Sequence, residues 1–510
     1  MADRHLEIEQ KYDAAAGFAV PDLSGLPGVA AVDEPRIHQL HASYFDTPDL
    51  RLAAQGITLR RRRGGEDDGW HLKMPVGPDS KSELRAPLGR SRTVPARLAS
   101  LVAAHTRGAP LELVATLETE RRVLRLLDGE GRLLAEVADD AVTGTNLLDG
   151  AGTAVAFGEG TAETTGGAGA EPDRWREIEV ELGAGPPELL KAAGKKLRKA
   201  GAKRAESSSK LGRLLNDAIA RPTPKEVRAS ARAGLEGEPT AGEAVVAYLA
   251  AQVDAVLEYD PKVRLSEFDA VHKMRVATRR TRSALQTARS LFDAERVAPL
   301  KAELKWLADR LGEVRDLEVL RMRFTERLED DTVPAWLEDI AKRERAAYRR
   351  LHAALKEPRY FALLDALDAL VSDPPFAGKA AGRQAVKEFP KLVEKAWRRM
   401  EGAHEAIATA EDPETAWHEV RKAAKRVRYV AELARPVLGD DAKAYAKRAK
   451  RIQTVLGEHQ DAVIAMEHLA AARPRTLDEA FTLGVLYGVE QCQARHARGQ
   501  FEAVWASIAD

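Results

Sequence analysis

Near residue 215 the spacing of the apolar residues changes, and this change constrains the fold of the chain more than any other feature. Before it, short segments alternate apolar and polar residues between turn formers. Ile57-Thr58-Leu59-Arg60-Arg61-Arg62, Trp70-His71-Leu72-Lys73, Ala135-Glu136-Val137-Ala138 and Glu177-Ile178-Glu179-Val180-Glu181-Leu182 are examples. A period of two belongs to strands with one buried face. Ser207 to Ala220 reads as a closing helix, and Gly158 to Pro172, rich in Gly, Ala and Thr, as a loose loop. After a Pro/Gly-containing stretch, Ala, Leu, Arg, Lys and Glu dominate at helical spacing almost to the end. The expected organisation is a strand-built domain over residues 1–215, a linker over 216–240 and an all-α domain over 241–505. At 510 residues the chain is too long for one ordinary domain.

The helical half should be a bundle rather than one long coiled coil, because breaks are expected near Pro261, Pro299, Pro334, Pro358, Pro374-Pro375, Pro390, Pro413 and Pro436. It also repeats itself. His272-Lys273-Met274-Arg275 runs on to Arg279-Arg280-Thr281-Arg282, and His418-Glu419-Val420-Arg421 runs on to Lys425-Arg426-Val427-Arg428. About forty residues later each copy has an echo, Leu311-Gly312-Glu313 and Leu456-Gly457-Glu458. Matching internal distances predict two related helical hairpins.

In the first half, Glu7, Glu9 and Lys11 sit two apart, so a strand places all three on one face. Neighbouring carboxylates repel unless a cation lies between them, and hard divalent ions prefer oxygen ligands. Glu177, Glu179 and Glu181 repeat the pattern, with Ile178, Val180 and Leu182 opposite. Alternating glutamates on a single strand are usually a solvated face. Two acidic strands together with basic faces at Arg60, Arg62, Lys73 and Arg121 suit a barrel with a polar interior holding a metal and a polyanion.

Glu7-Ile8-Glu9-Gln10-Lys11 resembles the ExExK motif of CYTH domains, the triphosphate tunnel metalloenzymes. Tyr44-Phe45-Asp46-Thr47-Pro48, Leu59 to Arg62, Leu72-Lys73-Met74-Pro75, Glu83, Thr119-Glu120-Arg121, Glu136 with Asp140, Glu177 to Leu182 and Ser209-Lys210 follow in family order. The resemblance covers roughly residues 1–215 and implies a closed antiparallel β-barrel whose lumen binds triphosphate. It further implies that Glu7, Glu9, Glu179 and Glu181 hold Mg2+ or Mn2+, and that Arg60, Arg62, Lys73, Arg121 and Lys210 bind phosphate oxygens. Lys11 would stand at the reacting end and orient water or the terminal phosphate. Two positions depart from the pattern. Lys81 stands where many relatives carry Arg, which keeps the charge but loses bidentate geometry, and Glu120 beside Arg121 should point out of the barrel.

In the second half, His272, Arg275, Arg279 and Arg282 are spaced to form one narrow helical stripe, repeated by His418, Arg421, Lys425 and Arg428. Such rows repel themselves unless anions lie against them. Glu313, Asp316, Glu458 and Asp461 are candidates for part of that role. A solvated Arg-rich helix is the ordinary explanation of one stripe, and repetition with a leading His points to an anion track. This region resembles the CHAD domain, a helical domain of two repeated four-helix halves, over roughly residues 240–505. The resemblance implies inorganic polyphosphate binding in a basic channel between the halves. The two stripes would make the contacts, joined by Lys305 and Lys450, which lie at equivalent points seven residues before Gly312 and Gly457. No metal-ligand cluster accompanies the stripes, so this domain is not expected to be catalytic.

The fold class expected overall is an α+β multidomain chain, an N-terminal antiparallel β-barrel tunnel followed by a helical bundle of two repeated halves. The expected function is metal-dependent hydrolysis of a triphosphate in the barrel with polyphosphate binding by the bundle. The alternative is a non-catalytic polyphosphate-binding or targeting protein. Cyclisation of ATP ranks lower because no base-recognition pocket is legible. Nucleic acid ranks lower because the stripes lack aromatic neighbours for stacking. The single cysteine, Cys492, excludes an internal disulfide, the N-terminus lacks a signal-peptide core, and no apolar run is long enough to cross a bilayer. The expectation is a cytoplasmic protein without membrane partners, recruited to polyphosphate granules.

Overall fold

A computed structural model describes residues 4–148, 171–235, 237–328 and 333–509. It divides into two compact units, residues 1–225 and 226–510.

The first unit is built on ten strands: β1 (Arg4–Ala14), β2 (Ala31–Val32), β3 (Arg36–Asp46), β4 (Thr58–Arg63), β5 (Gly69–Gly77), β6 (Ser80–Ala86), β7 (Glu112–Leu127), β8 (Leu133–Asn146), β9 (Asp173–Leu182) and β10 (Lys203–Arg204). Eight of them run in the order β1-β6-β5-β4-β3-β7-β8-β9, and β9 pairs back to β1, so the sheet closes into a barrel. Every pairing is antiparallel. Closure removes the exposed edges that an open sheet would offer for aggregation. The two-residue strands β2 and β10 attach at the rim.

Alternation along β9 decides what faces where. Ile178 and Val180 point outward into an apolar cluster with Leu189, Ala193 and Leu197 of α2 (Pro187–Lys199), while Glu177, Glu179 and Glu181 point inward. Gly194 lets α2 lie this close, since a Cβ there would meet the Tyr12 hydroxyl at 2.0 Å. Another helix, α1 (Ala96–Thr106), precedes it. The closing helix expected over Ser207 to Ala220 is shorter, α3 (Lys210–Leu214) followed by a 3-10 turn at Asn216–Ala218. Ser209 caps α3 by accepting from the Gly212 N–H at 2.9 Å. Leu211 and Leu215 pack with Tyr44, Val142 and Trp175, which fills that part of the barrel with apolar side chains. The Gly158 to Pro172 stretch lies outside the described residues apart from its last two, which have no regular structure.

The second unit is all helix: α4 (Pro224–Ala233), α5 (Ala241–Arg264), α6 (Ala270–Thr287), α7 (Ala294–Thr325), α8 (Ala335–Ala354), α9 (Pro358–Ser372), α10 (Ala385–Glu405), α11 (Pro413–Ala471) and α12 (Leu477–Ala509). Its boundary falls at the start of α4, a helix inside the stretch expected as linker. Arg228 of α4 is buried and bonds Asp254 at 2.6 Å and Asp368 at 2.5 Å, which ties the segment to the bundle. Thr240 and Glu243 form a reciprocal capping box at the start of α5.

Helix breaks do fall near the prolines, but Pro261, Pro299, Pro390 and Pro436 lie within helices rather than at their ends. One missing N–H is outweighed there by the buried faces on either side. The break near Pro436 is at Gly439 (φ 56°, ψ −125°), which bends α11 into two arms. The repeat is then visible in space. The first stripe is on α6 and its echo on α7, while the second stripe and its echo occupy the two arms of α11. Helices α5 and α6 of the first half pack against α11 of the second.

Candidate functional site

All ten residues singled out in the N-terminal half line one cavity of about 400 Å3 inside the barrel: Glu7, Glu9, Lys11, Arg60, Arg62, Lys73, Arg121, Glu179, Glu181 and Lys210. Nine of them converge because alternate residues of every wall strand face the lumen, and Lys210 enters from the start of α3. In the closed order, β4 stands four strands round from β9, so Arg60 and Arg62 look across at Glu179 and Glu181. One wall is basic and the opposite wall acidic.

Most cations in the lumen meet a carboxylate. Lys73 Nζ lies 2.6 Å from Glu7 Oε2, and Lys81 Nζ donates to Glu9 at 2.8 Å. Arg121 grips Asp140 with two bonds of 2.8 and 2.7 Å and reaches Glu179 at 2.5 Å. Lys210 Nζ sits 2.8 Å from Asp140, 2.7 Å from Glu177 and 2.7 Å from Glu179. Lys11 bonds Glu179 and lies 3.4 Å from Glu9. Burial opposes the charge on Lys11 and Lys210, but their carboxylate partners outweigh it and hold both pKa values up. Burial likewise opposes the charge on Glu9, yet Lys11 and its other partners draw it down to about 2.

Two carboxylates are different. Burial pushes the Glu7 carboxyl up despite Lys73, with Glu83 and Glu181 adding to the push. Burial also raises Glu181, whose carboxylate makes no hydrogen bond or ion pair among the described residues. Glu181 is the cross-strand partner of both Glu9 and Glu136. Crowded acids held above their ordinary range are what a divalent cation relieves, so Glu7 and Glu181 fit one, with Glu9 beside them as the cross-strand neighbour of Glu181. A tighter group, Asp140, Glu177 and Glu179, has oxygens within 4.8 Å of one another and is close enough to share a metal. In this structure the Lys210 ammonium contacts all three. Glu179, expected beside the metal, is engaged by Lys11, Lys210 and Arg121.

The basic wall has the opposite character. Burial, then Arg60 and Arg121, push Arg62 down to about 9, although it bonds Asp67. The Nε atoms of Arg60 and Arg62 are buried without a hydrogen-bond partner among the described residues. Both are donors left without an acceptor. Lys81 reaches this interior too, as do Glu83, His71 and Asp140, to which sequence reasoning gave no role. His71 bonds Glu83 at 2.8 Å and is pushed down to about 4, mainly by burial. Their position on the inward parity of β5, β6 and β8 was the signal available. Lys81 occupies the expected cation position, and Glu120 is exposed outside the barrel, where it accepts from Gln39 at 3.0 Å.

In the bundle, Arg275 and Arg279 of α6 and Arg421 and Lys425 of α11 form one electrostatic cluster. Lys425 is pushed down to about 6, by burial first and then by Arg279, Arg421 and Arg275. The nearby acids compensate only in part. Arg275 bonds Asp316 at 2.9 Å and Arg421 lies 3.9 Å from Asp461, while Glu313 and Glu458 turn to Arg350 and Arg323. The Nε atoms of Arg275 and Arg421 are buried without a partner among the described residues. Arg275 lies against Gly312, where a Cβ would meet its guanidinium at 3.2 Å; Gly457 of the second echo has no such neighbour within 4 Å. His272 is pushed below its ordinary range by burial and then by Arg315. His418 bonds Gln460 at 2.9 Å, and Arg428 bonds Glu432 at 2.8 Å.

Other expected contacts do not converge on this cluster. Arg282, Lys305 and Lys450 are exposed, and Lys305 pairs with Asp309 four residues on.

Residues 5–215 match the CYTH domain family and residues 247–470 match the CHAD domain family. Two proteins of Mycobacterium tuberculosis, both uncharacterized, are 38% identical over 522 aligned residues, covering 98% of this chain and 96% of theirs. This chain is a CYTH–CHAD protein. Among solved structures, the CHAD domain of Ricinus communis is 23% identical, covering 53% of this chain and 92% of that one, with a TM-score of 0.45. An adenylyl cyclase-type protein of Hippeastrum, described as having a dominant triphosphatase activity, is 18% identical, covering 42% of this chain and 98% of that one, with a TM-score of 0.24. By its family match the barrel is a CYTH triphosphate tunnel domain, and CYTH domains as a family are metal-dependent. The helical unit is a CHAD domain, and no described helix is long and apolar enough to cross a membrane.

Proposed function

We propose that the CYTH tunnel hydrolyses tripolyphosphate or a related triphosphate with Mg2+ or Mn2+, and that the CHAD domain binds inorganic polyphosphate. One observation carries the first half: a polar lumen with underpartnered guanidiniums on one wall and pKa-raised carboxylates on the other. Glu7, Glu9 and Glu181 hold the cation, which when bound neutralises phosphate oxygens and promotes attack by water. Arg60, Arg62, Arg121 and Lys73 orient the phosphates and stabilise the charge that builds on them. Lys11 stands between the acidic wall and the phosphate chain and aligns the terminal group. Supporting the second half is the cluster of Arg275, Arg279, Arg421 and Lys425, whose cations exceed their nearby acids. Location at polyphosphate granules in the cytoplasm follows from that binding.

A non-catalytic tunnel that only captures a phosphate end is the second reading. It is favoured by the engagement of Glu179 with three cations. Phosphate release from tripolyphosphate, with metal and with chelator, separates the two. Glu9→Gln should abolish the metal-dependent release while the barrel stays folded. Ala at Arg275, Arg279, Arg421 and Lys425 should remove long-chain binding and leave tripolyphosphate turnover near wild type. Unchanged turnover in Glu9→Gln sinks the metal assignment. Lost turnover in a folded stripe variant would place part of the active site in the bundle.

A further inference from the structure

Helix α12 has two faces with opposite surroundings. Leu483, Leu486, Ala494, Ala497 and Phe501 are buried on one face. The opposite face carries Leu477, Phe481, Val485 and Val489, exposed by 89, 75, 48 and 39%. At 100° per residue these four fall in one stripe, and Gly484, Gly488 and Cys492 share it. The stripe runs about 22 Å along the helix, and its one charge is Asp478 at the N-terminal end. A surface helix of a chain that is 31% charged would ordinarily place Lys and Glu there.

The glycines carry independent information. Gly484 and Gly488 lie inside the helix, where glycine is the poorest former apart from proline. A Cβ at either would meet nothing within 4 Å. Neither φ is positive, so the backbone does not require glycine. Nothing within the described chain accounts for them. They leave a shallow notch beside the ridge of Phe481 and Val485, and notches next to ridges are what close helix packing needs.

We propose that this face of α12 is the two-fold interface of a homodimer. A two-fold axis sets a surface against itself, so a face with one sign of charge would be repelled and an uncharged one is compatible. An antiparallel pairing centred between residues 486 and 487 sets Val485 against Gly488 and Phe481 against Cys492, large side chains over small ones. It also brings the Asp478 end of one helix to the Arg495 end of the other, opposite charges at both rims. The exposed stripe and its rim amount to roughly 600 Å2 per chain, within reach of the lower end of specific interfaces. An apolar patch of this extent is uncommon on a monomer.

The test is sedimentation velocity and light scattering on the full chain at tens of micromolar. The expected result is twice the mass of one chain. Val485→Arg and Gly488→Leu should each give the single-chain mass with unchanged helical content by circular dichroism and unchanged phosphate release per chain, since both positions are exposed on the single chain and outside the tunnel. Asp478→Arg should weaken the dimer, and combining it with Arg495→Asp should restore it. A wild-type monomer at these concentrations overturns the proposal, whether the face is then bare or covered by the barrel of the same chain. A dimer that survives Val485→Arg overturns it as well, by placing the interface elsewhere. Failure of the double exchange to restore association would rule out the antiparallel register.

Discussion

Lys425→Met tests the bundle cluster more sharply than loss of binding does, because it predicts a proton. In the free protein Lys425 is pushed down from 10.5 to about 6 by burial and by Arg279, Arg421 and Arg275. At pH 7 only about one molecule in ten carries the ammonium, and at pH 8 about one in a hundred. A phosphate chain laid on the cluster adds opposite charge and returns the pKa toward the ordinary lysine range. The group therefore has the higher pKa in the bound state, so binding takes up a proton between about pH 6 and that bound-state value. Affinity should fall by up to tenfold, about 1.4 kcal/mol, for each pH unit above 6, and level off below. The assay is calorimetry of long-chain polyphosphate in buffers of different ionisation enthalpy. Lys425→Met should remove the proton uptake above pH 7, leaving only the part that His272 contributes at lower pH. Stability moves the other way. A lysine whose pKa is lowered on folding costs stability below 10.5, increasingly down to about 6, so the free variant should melt higher than wild type, most clearly near pH 6. Flat wild-type affinity between pH 7 and 8.5, or equal proton uptake in Lys425→Met, refutes the reasoning.

Lys210→Met should destabilise the barrel by about 3–5 kcal/mol at pH 7 in urea unfolding, because Glu177 loses its cation and Asp140 and Glu179 keep only Arg121 and Lys11. The deficit should shrink toward pH 5 as the orphaned carboxylates protonate. Ile178→Ala removes a fully buried side chain between β9 and α2 and should cost about 2–5 kcal/mol, with long-chain binding by the bundle unchanged. A cost under 1 kcal/mol would mean that α2 does not close the barrel wall. The full chain should bind long polyphosphate more tightly than tripolyphosphate, and titration at rising salt should show binding weaken steeply, since each neutralised phosphate releases a counterion. Equal affinity for both lengths would count against an extended basic surface.

The barrel interior was legible because a strand's parity is strict: once Glu7 and Glu9 face inward, so does Lys11, and the same count places Glu179 and Glu181. Parity could not say which cation meets which carboxylate. Lys210, spaced far from β9 in sequence, ends among Asp140, Glu177 and Glu179 because α3 docks across the barrel, and that is a tertiary fact. The helical stripes were legible for the same reason at period 3.6. The pattern did not say which members meet: Arg282, at the far end of the first stripe, is exposed, while Arg275 and Arg279 converge with Arg421 and Lys425. Prolines marked the breaks only to within a turn or so. The buried faces around Pro299 and Pro390 hold each helix through the missing hydrogen bond, which the sequence alone does not reveal. Helix α4 lay hidden in a composition that reads as linker, and Arg228 explains it, because a buried guanidinium between two aspartates orders a segment that has little apolar surface of its own.

The two domains solve the same electrostatic problem in different ways. In the barrel almost every cation already holds a carboxylate, so an incoming triphosphate must compete with internal acids for Lys11, Lys73, Arg121 and Lys210. That competition weakens binding unless the acids receive another cation, and the raised pKa values of Glu7 and Glu181 mark where that need is greatest. Metal dependence on this reading is a property of the surplus acid in the lumen as much as of the chemistry of attack. In the bundle the cluster has the opposite imbalance, four basic side chains against the partial contacts of Asp316 and Asp461. An anion there displaces little and relieves repulsion at once, so charge density and chain length should decide what binds. Lys425 is the measure of that imbalance: a lysine driven to about 6 has lost most of its charge to its neighbours, and only an added polyanion returns it.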